Sequence, residues 1–374
     1  MLSYRTAGES HGQGLAALVE GFPAGYLIDT ARIDAELARR QGGYGRGGRQ
    51  AIERDRVEIL TGVLHGRTTG APILLWVKNR DYKIEEMPEL TRPRPGHADL
   101  AGALKYRSGI RGILERSSAR ETAARVAAGT LAAGLLSEFG IEVRGSVSEI
   151  GPLKLAPESK TLERITPEIV TQLRAKSAVY SLVPDRDDEA RALIDRCAEE
   201  GDTLGGVIEV RAWGLPVGLG SHVQWTEKLD ARLARAAMSV QAIKGVEIGL
   251  GFEAARRRGS EVHDAIRRRG ALNVGGASPY LRPTNNAGGI EGGMSNGEPI
   301  LLRAAMKPIA TLKKPLESVD FATGETAPAS FERSDVCAVS AASVVLEGVV
   351  AFELASALVE KRGGDSLEEL LSRR

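Results

Sequence analysis

Apolar positions along the chain switch between helical and strand spacing, and the switch points mark most of its elements. In "DTARIDAELARRQGG", Ile33 and Leu37 stand four apart ahead of a basic end and a glycine pair, which predicts an amphipathic helix stopping near Gly42. "RVEILTGVLHGRTTGAPILLWVKN" has apolar runs on both sides of a "GRTTG" turn and reads as two strands. "SARE", residues 118–121, fits a capping box, with Ser118 capping and Glu121 reaching back, ahead of an Ala-rich helix running to Phe139 and ending at Gly140. Downstream, "TPEIVTQL" starts a helix at Thr166 and Pro167, "DRDDEARALIDRCAEEG" is a charged helix closing at Gly201, and "GGVIEVRAWGLP" is a strand. "RSDVCAVSAASVVLEGVVAFELASALVEK" is an almost wholly apolar helix preceded by Asp335. That aspartate is either the helix cap or a working carboxylate.

Composition narrows the class. At 374 residues, 42% hydrophobic, 26% charged and net charge +1, the chain reads as a globular protein able to bury a core. No Pro/Ser-rich linker, low-complexity tract or fixed-period repeat divides it, so a single domain over residues 1–374 is expected. The start "MLSYRTAGESHG" lacks a basic end followed by an apolar run, and a cytoplasmic location with no membrane partner is expected. Cys197 and Cys337 have no CxxC or metal-ligand spacing, so both are expected to be reduced and structural, with no metal site.

The near-neutral total hides a segregation of charge. Residues 39–56 hold six arginines against two acids, and residues 91–125 hold eight Lys/Arg against three. Both segments could border one anionic site. Forty-four glycines against sixteen aromatics suggest backbone that approaches a ligand closely. "RPTNNAGGIEGGMSNGEPI", residues 282–300, packs glycine among Thr, Asn and Ser and is expected to be a set of turns presenting backbone amides. The start of the Ala-rich helix, flanked by Arg116 and Arg120, is a further candidate for phosphate. Other charge runs, at 187–200 and in "AARRRGSEVHDAIRRRG", read as solvated helix faces.

Histidine is scarce, with five in the chain. His65 belongs to the predicted hairpin, and His222 and His263 read as surface residues. His11 in "GESHGQG" and His97 in "RPRPGHAD" sit instead in bendable Gly/Pro backbone near arginines, where an imidazole can serve as acid, base or cation.

Seven stretches, "GESHGQGLAALVEGFP", "RRQGGYGRGGR", "RPRPGHADLAGALKY", "LERSSARETAARVAAG", "TNNAGGIEGGMSNGEPI", "KPIATL" and "RSDVCAV", together resemble the chorismate synthase family, in its order and over most of the chain. The resemblance implies a lyase of the shikimate pathway that eliminates phosphate from 5-enolpyruvylshikimate-3-phosphate to give chorismate, using reduced FMN without net oxidation. It implies an α+β fold, a β-α-β sandwich with central antiparallel sheets covered by outer helices, assembled as a homotetramer. His11 is carried over as the group at the leaving phosphate, His97 as the cation beside the flavin, and Asp335 as the carboxylate that helps remove the ring hydrogen. Arg40, Arg46, Arg94, Arg120 and Arg333 are the matching substrate positions. For FMN they are Ser117, Ser118, Ala119, Gln241, Ala242, Gly292, the run Lys307, Pro308, Ile309, Ala310 and Thr311, and again Arg333. Gln241 stands where many members have Asn, Ala310 where Ser is common, and "KYRSGIRGILER" is shorter than usual and lacks paired aspartates.

Two other classes were weighed. An RNA-binding module could exploit "GGYGRGGR", but Tyr44 is almost alone as a stacking aromatic there. A metal-dependent hydrolase could use His11 and His97, yet neither lies in a short-range ligand pattern. Some members of the family also reduce their own flavin with NADPH. This chain has no GxGxxG between strand and helix and no long insertion, so an external flavin reductant or reductase is expected.

Overall fold

The computed structural model describes residues 1–47, 54–157, 165–268, 280–332 and 334–373. One antiparallel sheet comprises β1 (Ser3–Ala7), β2 (Gly14–Glu20), β3 (Val57–Thr61) and β4 (Ile73–Lys78), in the order β1-β2-β4-β3. A second comprises β5 (Glu142–Ile150), β6 (Leu153–Lys154), β7 (Gly206–Trp213), β8 (Ile243–Ile248) and β9 (Ile300–Met306), in the order β8-β9-β7-β5-β6. Period-two patterning decides which face turns inward. Leu15, Ala17 and Val19 of β2 and Ile73, Leu75 and Val77 of β4 are buried. The alternating pairs Ala16–Trp76 and Leu18–Leu74 lie on the other, partly exposed face.

The helices are α1 (Thr30–Gln41), α2 (Asp99–Tyr106), α3 (Ile110–Ser117), α4 (Thr122–Ser137), α5 (Pro167–Lys176), α6 (Asp187–Glu199), α7 (Leu229–Met238), α8 (Val339–Arg362) and α9 (Leu367–Ser372). The α+β class and the antiparallel sheets are as expected, but the order of the layers differs. Helix α4 packs on β2 and β4 and, on another side, on α8, which in turn covers β5 and β7. The sheets are therefore outside and the long helices between them. The reason is compositional: α4 and α8 are apolar around most of their circumference, so each needs cover on more than one side, whereas a sheet can leave one face to water. Among the described residues α8 is the one helix long and apolar enough to cross a membrane, and it is a core helix packed inside the protein. One apolar core runs from Leu2 to Leu358, and a small satellite gathers Ile165, Val170 and Leu182.

Local signals hold at several ends. Asp29 caps α1 by accepting the Arg32 amide at 3.0 Å, and Thr166 caps α5 with Pro167 in the first turn. Others resolve differently. The chain reverses at His65 and Gly66, with φ of 50° and 76°, one step before the "GRTTG" glycine turn. The run 254–270, expected to be a solvated helix face, instead holds the end of the 3-10 segment Gly251–Arg256, a single α turn Gly259–Val262 and a short strand Arg267–Arg268, with 269–270 outside the described residues.

Candidate active site

His11 lies in the loop between β1 and β2, and α3 holds it there. Its amide donates to Glu115 Oε2 at 2.8 Å, its ring Nδ1 lies 2.9 Å from Oε1, and the Ser10 amide donates to the Glu115 carbonyl at 3.0 Å. The His11 carbonyl accepts the amides of Lys83 and Ile84, both at 3.1 Å. Glu115 is buried. Burial pushes its carboxyl upward, but the hydrogen bonds from His11 and the nearby Arg111 charge outweigh this and hold it below its ordinary value.

Behind this loop is a buried charge cluster. Asn79 donates to the carbonyls of Glu9, Ser10 and Gly12 at 3.2, 3.1 and 2.8 Å and accepts from Arg120 Nε at 2.9 Å. Arg120 also meets Asp55 at 2.6 Å, and Arg40 approaches the same carboxylate at 3.5 Å. Arg40 further donates to the Thr122 hydroxyl and the Ala119 carbonyl. Arg46 pairs with Asp335 at 2.9 Å. Three arginines thus share two aspartates. Burial, and then the Arg120 charge, push the Arg40 guanidinium down to about 9, and its Nη1 has no hydrogen-bond partner among the described residues.

His97 sits in a second polar group. Its Nδ1 lies 2.5 Å from Asp99 Oδ1, while Asp99 Oδ2 accepts from Arg94 Nε at 2.8 Å. Burial raises the Asp99 carboxyl, yet His97 and Arg94 hold it well below the carboxylate range. Arg94 also donates to the Thr311 hydroxyl at 2.9 Å and stands 3.0 Å from His97 Nδ1. Arg94 thus stands beside His97, with Nε and Nη2 on Asp99 and Nη1 on Thr311. Lys307 donates to the Gly96 carbonyl, and its amide to the Ala242 carbonyl at 2.9 Å. The residues 94–97, 241–242 and 307–311 therefore meet. Thr203 fixes the Ile309 carbonyl at 2.7 Å; Pro308 and Ala310 lie within the same run.

The 117–119 segment joins the His11 loop through Ser118, whose hydroxyl donates to that of Ser10 at 3.2 Å. The expected capping box does not form. Ser118 accepts the Arg120 amide, but Glu121 turns inward to Thr6, Arg125 and Gln241. The amides of Arg120 and Glu121 are bonded to Ser118 in a 3-10 turn ahead of α4, so that helix start is not open to phosphate. Ser117 bonds the Leu114 carbonyl.

Other expectations change as well. Asp335 is not the cap of α8, which begins at Val339 after Ala338. It accepts the Gly47 amide at 2.6 Å, and its ion-pair partner is Arg46. In the 282–300 segment several amides are already used: Asp264 accepts those of Asn286 and Ala287, and Asn285 that of Gly289. Gly292 lies in the short hairpin pairing Ile290–Glu291 with Met294–Ser295. Glycines of the first basic segment serve packing: a Cβ on Gly43 would lie 2.5 Å from Ser340 Cβ, and one on Gly45 3.0 Å from Cys337 Cβ. Arg333 falls outside the described residues. Cys197 and Cys337 are buried and free.

Glu115, Asp99, Asp55 and Asn79 had no individual sequence signal, and Glu121 was read only as a capping residue. Asp99 alone could have been found, two residues from a candidate histidine.

A sequence model of the chorismate synthase family matches residues 2–359. The chorismate synthase of Geobacter sulfurreducens is 56% identical, covering 99% of this chain and 96% of its own length. That of Desulforudis audaxviator is 53% identical over the same shares. A crystal structure of a chorismate synthase superposes with a TM-score of 0.81 at 44% identity, covering 100% of this chain and 96% of that one. With the fold and the sequence in agreement, the chain belongs to the chorismate synthase family, lyases of the shikimate pathway in aromatic amino-acid biosynthesis.

Proposed function

We propose that Arg40, Arg46, Arg94, Arg120 and Arg333 receive the phosphate and carboxylates of 5-enolpyruvylshikimate-3-phosphate, with His11 at the leaving phosphate and Asp335 helping to remove the ring hydrogen. One observation carries this reading: Arg40, Arg46 and Arg120 gather on Asp55 and Asp335, with Arg40 and Arg120 buried and Arg40 pushed down to about 9. Unneutralised charge in a protein interior is costly. A bound polyanion would relieve it and would be held by charge-assisted hydrogen bonds. In the elimination the C–O bond to phosphate and a ring C–H bond break and a C=C bond forms. His11 meets the departing oxygen.

Reduced FMN fits the second group of residues. Gln241 Oε1 is buried with no partner among the described residues and would suit an imide N–H. Burial, and then Lys244, lower the Lys307 ammonium, so an anionic group would be welcome there. Ser117, Ser118, Ala119, Ala242, Gly292 and residues 308–311 complete the proposed flavin set, and Arg333 is shared with it. The cofactor supplies an electron-rich ring that eases the elimination without net oxidation. His97, held by Asp99 and Arg94, places a cation or donor beside that ring.

The same proposal describes one domain, supported by the continuous core, acting as a cytoplasmic homotetramer supplied by an external flavin reductant. A nucleic-acid partner is not proposed, because Arg40 and Arg46 of the first basic segment turn inward to Asp55 and Asp335. The test compares two variants. His11→Ala and His97→Ala should each slow turnover about 10²- to 10⁴-fold, but only His97→Ala should change the spectrum of bound reduced flavin. Identical spectra for both would remove the assignment.

A further inference from the structure

We infer that Glu115 is a positioning residue for His11, fixing a proton on Nδ1 and leaving Nε2 as the one polar atom of that residue free to face an anion. The inference rests on the reading of His11 given above and adds a residue and an atom to it. The argument starts from a count of polar atoms. His11 has four: amide N–H, carbonyl oxygen, Nδ1 and Nε2. The amide goes to Glu115 Oε2, the carbonyl takes the amides of Lys83 and Ile84, and Nδ1 lies 2.9 Å from Glu115 Oε1. No described residue bonds Nε2.

An ionised carboxylate can only accept. Nδ1 must therefore carry hydrogen whether the ring is neutral or charged. In the neutral ring Nε2 is then the bare nitrogen, and in the charged ring it holds the transferable proton. Donation from Nε2 returns the tautomer that Glu115 already holds, so the ring need not reorient during the step. Glu115 itself is kept ionised by His11 and by Arg111, whose Nη1 lies 3.7 Å from Oε1. Its backbone carbonyl grips the neighbouring Ser10 amide at 3.0 Å, so the last turn of α3 fixes the loop and the ring together. The His97 site is built otherwise: Arg94 holds both oxygens of Asp99, and His97 shares Oδ1 with it.

Glu115→Gln separates positioning from mere support. The glutamine carbonyl can still take the His11 amide, but its NH₂ then faces Nδ1 and requires an acceptor there. The neutral proton should move to Nε2. ¹⁵N NMR of histidine-labelled wild-type protein, at a pH where the ring is neutral, should show His11 as the Nδ1–H tautomer without substrate. Glu115→Gln should show Nε2–H, with kcat reduced about 10²- to 10⁴-fold and substrate KM within about threefold. Combining it with His11→Ala should add little to the loss from His11→Ala alone. Glu115→Asp, which restores an acceptor, should recover the wild-type tautomer and part of the rate. A wild-type Nε2–H tautomer, or a Glu115→Gln protein with wild-type tautomer or wild-type kcat, would overturn the inference. Full activity in His11→Ala would instead sink the catalytic reading of His11, which the tautomer measurement does not depend on.

Discussion

Asp335 lies 2.9 Å from the Arg46 guanidinium, tying the segment before the longest core helix to the first basic loop. The aspartate also accepts the Gly47 amide, so two segments 288 residues apart meet at one carboxylate. Because α8 starts four residues later, the charge is not spent on capping.

Asp335→Asn keeps an oxygen for the Gly47 amide and loses the ionic partner of Arg46. Turnover should fall by at least about 10²-fold, as for loss of a positioned acid or base, while the melting temperature moves by only a few degrees. Calorimetry beside a steady-state assay checks this. Unchanged turnover would exclude the carboxylate from the reaction.

The α4–α8 contact makes a prediction with opposite signs. A Cβ on Gly129 would lie 2.4 Å from the Gly348 backbone, but a Cβ on Gly348 meets nothing closer than 3.6 Å. Gly129→Ala should therefore destabilise by about 1–3 kcal/mol through overpacking. Gly348→Ala should be neutral or stabilise by up to about 1 kcal/mol through helix propensity. Denaturant titration of the two variants distinguishes them, and equal effects would contradict the packing.

Glu347 supplies the pH dependence. It is buried against Arg174 at 2.5 Å and Arg39 at 2.9 Å and accepts the Gly145 amide at 2.7 Å. Burial raises its carboxyl, but the two arginines outweigh that and hold it well below the ordinary 4.5. The folded state thus releases this proton more readily than the unfolded chain. Stability from the ionised form is complete above pH 4.5 and is lost as pH falls through the lowered folded value. Glu347→Gln should cost about 3–5 kcal/mol near neutrality, and its unfolding free energy should fall less steeply below pH 4.5 than the wild type's. Parallel acid profiles would refute the assignment.

Scarcity made His11 and His97 legible, since few imidazoles occur and both stand among glycines and arginines. Helix ends such as the stop of α1 at Gly42 and the start of α5 at Thr166 were legible because capping is local. The partners were not, because they come from distant segments. Glu115 reaches His11 from α3, Asp55 joins Arg40 and Arg120, and Glu121 abandons its local capping position for Thr6 and Gln241. Counting charge along the chain also overstated the free positive field of residues 91–125, because acids from outside the segment enter it: Asp55 pairs with Arg120 and Glu332 with Arg111. The layer order escaped as well, because an apolar run shows that a helix is buried but not what covers it.

The central claim is that this chain performs the phosphate elimination with reduced FMN it does not itself generate. The most direct measurement is ultraviolet detection of chorismate from 5-enolpyruvylshikimate-3-phosphate under anaerobic conditions with chemically reduced FMN. The account predicts many turnovers per flavin, none in air with oxidised FMN and NADPH alone, and recovery when dithionite or a separate flavin reductase is added without oxygen. Absence of product from folded protein with reduced FMN would contradict the elimination, and efficient NADPH-driven turnover by the purified chain alone would contradict its need for an external reductant.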